Sequence, residues 1–272
     1  MSSLKLALIQ FPRGPELEGN VELMADMVAE ARADVKVLPE NWASLKALGF
    51  KKLKRILAQL AEGLRDEEVL VAGAFYVKRG GAVVSMGAVV SPSGVEAVYG
   101  KKHPSKAVGE HTWLKPGRGP ALFEARGVKV GVLVCIDLMY PEEARGLALR
   151  GASVIVNPAS ISMDRVGLWR SVGVCRAAEN TVFVASAINT YTSYPDGRPV
   201  MGGSFAASPE GTLVLSADVE PGVYLAELDP SWVEGVRAKW GFLSEVEREG
   251  ARLLRRCYRS QRAPRGVCLT RP

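Results

Sequence analysis

The sequence predicts an α/β fold, because apolar segments with strand-like and helix-like spacing alternate along most of its 272 residues. Segments separated only by a Gly-containing turn, such as 68–77 and 81–91, predict hairpins within that pattern. The predicted strands are 4–10, 34–38, 68–77, 81–91, 95–100, 128–135, 152–158, 181–188 and 211–217. The predicted helices are 20–33, 141–150, 165–180 and a basic amphipathic helix with Leu53, Ile56, Leu57, Leu60 and Leu64 on one face.

The composition is typical of a soluble globular protein, with 47% hydrophobic and 24% charged residues. No apolar run approaches the roughly 20 residues of a membrane span, and the N-terminus lacks the apolar core of a signal peptide. The four cysteines have neither metal-ligand spacing nor the density of a disulfide framework. We therefore expect a cytoplasmic protein with reduced thiols. Abundant arginine with few glutamines and asparagines favours a heat-adapted source.

Most of the net charge of +6 lies at the C-terminus. Residues 244–272 contain eight arginines and three glutamates, so they predict a basic extension that follows a domain over 1–243. We expect this extension to be solvated or to dock on another subunit. A nucleic-acid-binding arm on a non-catalytic protein is the less favoured alternative.

Three reactive side chains follow apolar strands: Glu40, Lys101 and Cys135. Ligands of α/β sheets bind where the carboxyl ends of strands meet, so the three placements together indicate a site. A free thiol has a pKa of about 8.5, and a catalytic cysteine therefore needs a base. His103 and His111 are the only histidines. A carboxylate assisted by a lysine ammonium is the other option, and the spacing leaves both open.

Several motifs together resemble the nitrilase superfamily, the carbon–nitrogen hydrolases. The segments "LPENW" (38–42), "YGKKHPSKAVGEHTWLKPG" (99–117) and "VCIDLMYPEEAR" (134–145) are similar to its three signatures and occur in the same order. "RAAENTVFVASAIN" (176–189) and "GGSFAASPEGTLV" (202–214) are similar to further family segments. The resemblance runs from about residue 4 to about residue 230. It implies a four-layer αββα sandwich that is usually dimerised.

The resemblance also implies a Glu-Lys-Cys triad and no metal or organic cofactor. Glu40 would be the general base, Lys101 the cation and Cys135 the nucleophile that forms a thioester with a small amide substrate. Glu110 matches a second glutamate that positions lysine and substrate. The backbone N–H of Ile136 would join Lys101 in holding the oxyanion.

Other positions bear on the substrate. Asn157 follows a strand and is expected to line the pocket, although a turn role is equally compatible with its position. Met139 stands where the family commonly has an arginine that is associated with binding N-carbamoyl amino acids. Ile136-Asp137 replaces the Trp-Glu of true nitrilases. These differences favour an amidase-type member acting on a small linear amide over an N-carbamoyl amidohydrolase or a nitrile hydrolase. The expected assembly is a homodimer or a larger homo-oligomer.

Overall fold

The computed structural model describes residues 3–250, which form two large β-sheets with helices on their outer faces. The strands are β1 (Leu4–Gln10), β2 (Val35–Val37), β3 (Leu48–Gly49), β4 (Val69–Val71), β5 (Phe75–Arg79), β6 (Ala82–Ser91), β7 (Gly94–Gly100), β8 (Leu114–Lys115), β9 (Ala121–Ala125), β10 (Val128–Val132), β11 (Val154–Ala159), β12 (Phe183–Ile188), β13 (Thr192–Ser193), β14 (Pro199–Val200), β15 (Phe205–Ala207), β16 (Leu213–Ser216) and β17 (Gly222–Leu228). The helices are α1 (Leu17–Glu30), α2 (Phe50–Glu62), α3 (Pro141–Leu149), α4 (Val166–Asn180) and α5 (Pro230–Trp240), and residues 242–250 are also helical.

The first sheet has the strand order β17-β1-β2-β4-β6-β5-β3, and β7 and β8 also pair with β6. The second sheet has the order β16-β15-β12-β11-β10-β9. Strands β1, β2 and β4 are parallel to one another, as are β10, β11 and β12. The carboxyl ends of the parallel strands in each sheet therefore lie along one edge of that sheet.

Side chains alternate between the two faces of each strand, so each sheet packs against the other sheet on one face and against helices on the other, which gives four layers. In β1, Leu6 and Leu8 belong to the core that the two sheets share, whereas Ile9 belongs to the core between the first sheet and the helices α1 and α2. Helices α3 and α4 pack on the second sheet through residues such as Leu147 and Ala177. The predicted αββα sandwich is therefore confirmed.

Several element boundaries differ from the predictions. Helix α1 begins at Leu17, before the predicted start at residue 20, and the side chain of Asn20 donates hydrogen bonds to the carbonyl oxygens of Gly14 and Ala43. The predicted strand 68–77 is divided at Gly73, whose φ is +77°. A Cβ there would lie 2.1 Å from the carbonyl oxygen of Pro39, so only glycine fits this turn.

The predicted strand 128–135 ends early, at Val132, and Cys135 begins a short 3₁₀ helix (Cys135–Met139). The sequence did not predict the strands β3, β8, β9, β13, β14, β15 and β17, helix α5 or the helical segment 242–250. Within residues 3–250, no helix has the length and apolar character needed to cross a membrane. Residues 251–272, with Cys257 and Cys268, lie outside the described residues, so the domain boundary at 243 and the role of the extension stay predictions.

Candidate active site

The predicted residues Glu40, Lys101, Glu110 and Cys135 line a single cavity of about 300 Å³. Glu40 follows β2, Lys101 follows β7 and Cys135 follows β10, so three strand ends of two sheets deliver the group. All four side chains are buried. The cavity volume is at the lower end of the range for small-molecule sites, about 300–1,000 Å³.

Lys101 lies between two carboxylates. Its Nζ atom is 2.8 Å from Oε1 of Glu40, and 2.9 and 2.7 Å from Oε1 and Oε2 of Glu110. Glu110 is fixed in turn by the hydroxyl of Tyr76, which donates to Oε1 at 2.6 Å, and by the backbone N–H of Ser105, which donates to Oε2 at 2.7 Å. The ammonium is therefore held in place at the cavity wall, with each contact charge-assisted.

Burial and charge change the proton affinities of these groups. Burial raises the pKa of Glu40, and the charge of Glu110 adds to this, while Lys101 opposes it. The pKa of the Cys135 thiol is raised well above its ordinary value by burial and by the charge of Glu40. Burial lowers the pKa of Lys101, but the nearby acidic groups outweigh burial and hold it well above its ordinary value. The resting site thus contains a neutral thiol and a charged ammonium.

A sharp turn presents Cys135 to the cavity. Its φ is +46°, a conformation uncommon for residues other than glycine and found where the surrounding structure enforces it. Asn157 on β11 enforces it, because its Nδ2 donates to the carbonyl oxygens of Leu133 and Cys135 at 2.8 and 3.1 Å. Trp169 Nε1 donates to Asn157 Oδ1 at 3.1 Å. Asn157 therefore lies beneath the turn. It was expected to line the cavity, but it is not among the residues of the cavity wall.

The 3₁₀ helix after Cys135 also contributes Ile136 and Met139 to the cavity wall. Arg176 supports this helix by donating to the carbonyl oxygens of Leu138 and Met139, both at 3.0 Å. Arg176 also pairs with Glu179, three residues further along α4, at 3.0 Å.

Neither histidine lines the cavity. His103 stacks on Tyr140, and its Nδ1 is 2.9 Å from Oδ1 of Asp137. His111 is exposed. The carboxylate–lysine arrangement is therefore the one that the structure places beside Cys135. Within residues 3–250, no group of three or more metal-ligating side chains is arranged to hold a metal ion.

Among the other cavity residues, Tyr194 and Arg198 were not predicted from the sequence, whereas Arg165 was one of two arginines, with Arg170, expected to be able to replace the arginine missing at Met139. The hydroxyl of Tyr194 donates to the carbonyl of Ser160, which also accepts a long contact of 3.8 Å from the Cys135 thiol. Arg198 lines the cavity from the same β13–β14 hairpin, and Arg165 lines it from the start of α4. The Pro-Asp-Gly sequence at 195–197 signals the hairpin turn, but nothing in the sequence links that turn to Cys135.

The sequence profile of the family described as "Carbon-nitrogen hydrolase" matches residues 5–238. Among curated proteins, the chain is similar to a 2-oxoglutaramate amidase of Bacillus subtilis (strain 168), with 32% identity over 205 residues that cover 72% of this chain and 78% of the relative. It is also similar to an (R)-stereoselective amidase of Pseudomonas sp., with 28% identity over 256 residues that cover 89% of this chain and 91% of the relative.

Among solved structures, the fold is similar to that of a mutant of the Nesterenkonia AN1 amidase from the nitrilase superfamily. The TM-score is 0.76 at 24% identity, and the match covers 88% of this chain and 95% of the other. At that identity the likeness concerns the fold. Together with the family profile and the curated amidases, it shows that the chain belongs to the carbon–nitrogen hydrolase family, enzymes of the nitrilase superfamily.

Proposed function

We propose that this chain hydrolyses a short linear amide through a thioester on Cys135. The observation that carries the proposal is the single ammonium of Lys101, held 2.8 Å from Glu40 and 2.7 Å from Glu110 in the cavity that contains Cys135. This arrangement supplies a nucleophile, a base and a cation within one buried site.

In the first half of the reaction, Glu40 accepts the thiol proton as the sulfur attacks the amide carbon. Burial raises the pKa of the Cys135 thiol and also that of the Glu40 carboxyl. Burial therefore does not by itself oppose transfer of the proton from the sulfur to the carboxylate. The ammonium of Lys101 and the backbone N–H of Ile136 stabilise the oxyanion; one such donor contributes about 10²–10³-fold in rate. Glu40 then protonates the nitrogen, the C–N bond breaks, and ammonia or an amine leaves.

In the second half, Glu40 accepts a proton from water as the water oxygen attacks the thioester carbon. The C–S bond breaks, the proton returns to sulfur, and the carboxylic acid leaves the regenerated thiol. Glu110 acts as a positioning residue, because it fixes Lys101 through two oxygens. Asn157 positions the nucleophile by holding the carbonyl of Cys135.

We further propose that the acyl group carries a carboxylate. Arg165 and Arg198 are the arginines that line the cavity, and arginine binds carboxylates with a well-matched fork of donors. Arg165 pairs with Asp164 at 3.5 Å and Arg198 pairs with Asp196 at 2.8 Å, but neither aspartate lines the cavity, so a substrate carboxylate would join these pairs from the cavity side. The relative named 2-oxoglutaramate amidase acts, by its name, on an amide of this chemical class.

We propose a homo-oligomeric, cytoplasmic enzyme from a heat-adapted source. Trp240 and Phe242, stacked 5.6 Å apart and exposed, lie directly before the basic extension and support a subunit contact there. A reducing compartment suits the two thiols that the described residues leave free, Cys135 and Cys175.

The test is a substrate panel combined with intact-protein mass spectrometry. The panel contains an ω-amide of a dicarboxylic acid, a neutral amide of equal length, the matching nitrile and an N-carbamoyl amino acid. We expect turnover of the ω-amide and, on rapid acid quenching, an adduct with the mass of its acyl group on Cys135. Cys135→Ala should fold normally and lose both. Turnover by that variant, or an adduct at another residue, would contradict the proposal.

A further inference from the structure

A second, larger cavity lies on the helix-covered face of the first sheet, between α2 and the strands β6 and β7. Its volume is about 580 Å³, compared with about 300 Å³ for the candidate active site. No residue lines both cavities. The larger volume is well within the range of small-molecule sites, about 300–1,000 Å³.

The walls of this cavity are apolar because of strand and helix periodicity. Val84, Met86 and Ala88 occupy alternate positions of β6 and therefore face α2 together. Leu53 and Leu57 of α2 form the opposite wall. A ligand covering such a wall gains roughly 25 cal/mol for each Å² of apolar surface removed from water.

The mouth of the cavity is apolar as well. Phe50 at the start of α2 is 46% exposed, and Val95 on β7 is 56% exposed. Large apolar side chains that surround a cavity and remain in contact with water are typical of a surface that binds a ligand or another protein.

The charges at the cavity are all of one sign. Lys54, Arg79 and Arg118 line it, and no acidic residue does. None of the three forms an ion pair with a carboxylate of residues 3–250. The ammonium of Lys54 lies over the Phe50 ring, whose centre is 5.2 Å from Nζ. An anion would therefore gain three cations that have no carboxylate partner within those residues.

We propose that this cavity binds an amphipathic organic anion, a carboxylate with a medium-length aliphatic chain. The chain would cover the apolar walls, and the carboxylate would lie among Lys54, Arg79 and Arg118. The protein's own C-terminal residues are a poor occupant, because 251–272 contain seven arginines and no acidic residue and would be repelled by these cations.

The test is isothermal titration of the full-length protein with sodium octanoate, using 1-octanol as the neutral control of equal chain length. We expect octanoate to bind at least tenfold more tightly than octanol. The double variant Arg79→Met/Arg118→Met, in which both altered side chains are exposed, should weaken octanoate about tenfold and leave octanol unchanged. Lys54→Met should weaken octanoate, whereas Lys51→Met, on the same helix but outside the cavity, should not.

A cavity-filling variant tests the location separately. Val84→Phe should weaken octanoate and octanol alike, with the melting temperature as a check on folding. Equal affinities of octanoate and octanol, or octanoate binding that none of these substitutions changes, would overturn the proposal. Self-association that excludes octanoate and that Phe50→Ser abolishes would also overturn it, because a second copy would then be the occupant.

Discussion

Two buried lysines, Lys36 within β2 and Lys101 just after β7, differ in what surrounds them. The side chain of Lys36 on β2 is 0% exposed, and its Nζ donates to Oε2 of Glu68 at 2.5 Å and to the carbonyl of Val28 at 2.9 Å. The side chain of Lys101 is 1% exposed, and its Nζ contacts Glu40 and Glu110. By burial and hydrogen bonding alone, the two lysines look the same.

The charge balance distinguishes them. Glu68 is shared by two cations, because Arg65 also pairs with it at 3.0 Å, and these partners outweigh burial and lower its pKa. Around Lys101 the ratio is reversed: two carboxylates share one cation, and the pKa of Glu40 is raised. A cavity lies beside Lys101, and Lys36 lines none of the cavities described above. A buried lysine thus indicates a reactive site when negative charge is in excess and a substrate has room to enter.

The largest effect that this comparison predicts is on the activity of Lys101→Met. In the proposed mechanism the variant loses an oxyanion donor, worth about 10²–10³-fold, and the counter-ion that lowers the pKa of Glu40 and so favours its carboxylate form. We expect kcat/KM for the ω-amide to fall about 10³-fold or more, measured by ammonia release, with the far-ultraviolet circular dichroism unchanged. A tenfold loss or less would show that Lys101 resembles Lys36 and is structural.

Lys36→Met should have the opposite effects, a loss of stability with activity retained. Removing one partner leaves Glu68 with Arg65 alone in a buried setting, and breaking a buried pair costs about 3–5 kcal/mol. We expect the free energy of unfolding in urea to fall by about that amount, while kcat of the folded enzyme stays within twofold of the unaltered protein. Loss of kcat without loss of stability would remove the distinction between the two lysines.

The sequence identifies Lys101 but not Lys36 as noteworthy, for a physical reason. Lys101, Glu40 and Cys135 follow apolar strands, whose ends often form binding sites in α/β proteins. The resemblance to the carbon–nitrogen hydrolases then selects these three residues as one group. Lys36 stands inside "DVKVL", where alternation assigns it to one face of β2. That this face is covered by α1 depends on packing between distant segments.

The remaining site residues depend on tertiary structure in the same way. Asn157 lies within β11, but the turn at Cys135 lies above it, so it contacts the backbone of Cys135 and does not line the cavity. Arg198 reaches the cavity from a short hairpin that carries no family motif. Local patterns therefore predict the α/β class and the strand ends, and the family motifs predict the αββα sandwich and the central residues. The position of Arg198 depends on a loop that neither signal identifies.

The arginines of the cavity allow a smaller effect to be predicted. Arg198→Met should raise KM for the ω-amide of a dicarboxylic acid about tenfold, since a hydrogen bond to a charged group contributes about 1.5–3 kcal/mol. The neutral amide of equal length should be unaffected. Arg170→Met is a matched control, because Arg170 donates to the carbonyl of Ala217 and does not line the cavity. Equal changes for both amides would remove the assignment of a carboxylate-bearing substrate.

The smallest effect concerns pH, and it tests the excess of carboxylates around Lys101. In the proposed mechanism Glu40 acts as the carboxylate, so we expect falling pH to inactivate the enzyme by protonating it. Because burial and Glu110 raise the pKa of Glu40, the acid limb of kcat/KM should lie above the ordinary value of 4.5.

Glu110→Gln removes one of the charges that raise this pKa, so the limb should move toward lower pH even though the rate falls as Lys101 loses a partner. Glu143→Gln is the matched control, because Glu143 pairs with Lys102 and does not line the cavity. The Glu143→Gln variant should keep the limb where it is. If Glu110→Gln leaves the acid limb unchanged, the charge of Glu110 does not affect the pKa of Glu40. The contrast between the Lys101 and Lys36 sites would then rest on the cavity alone.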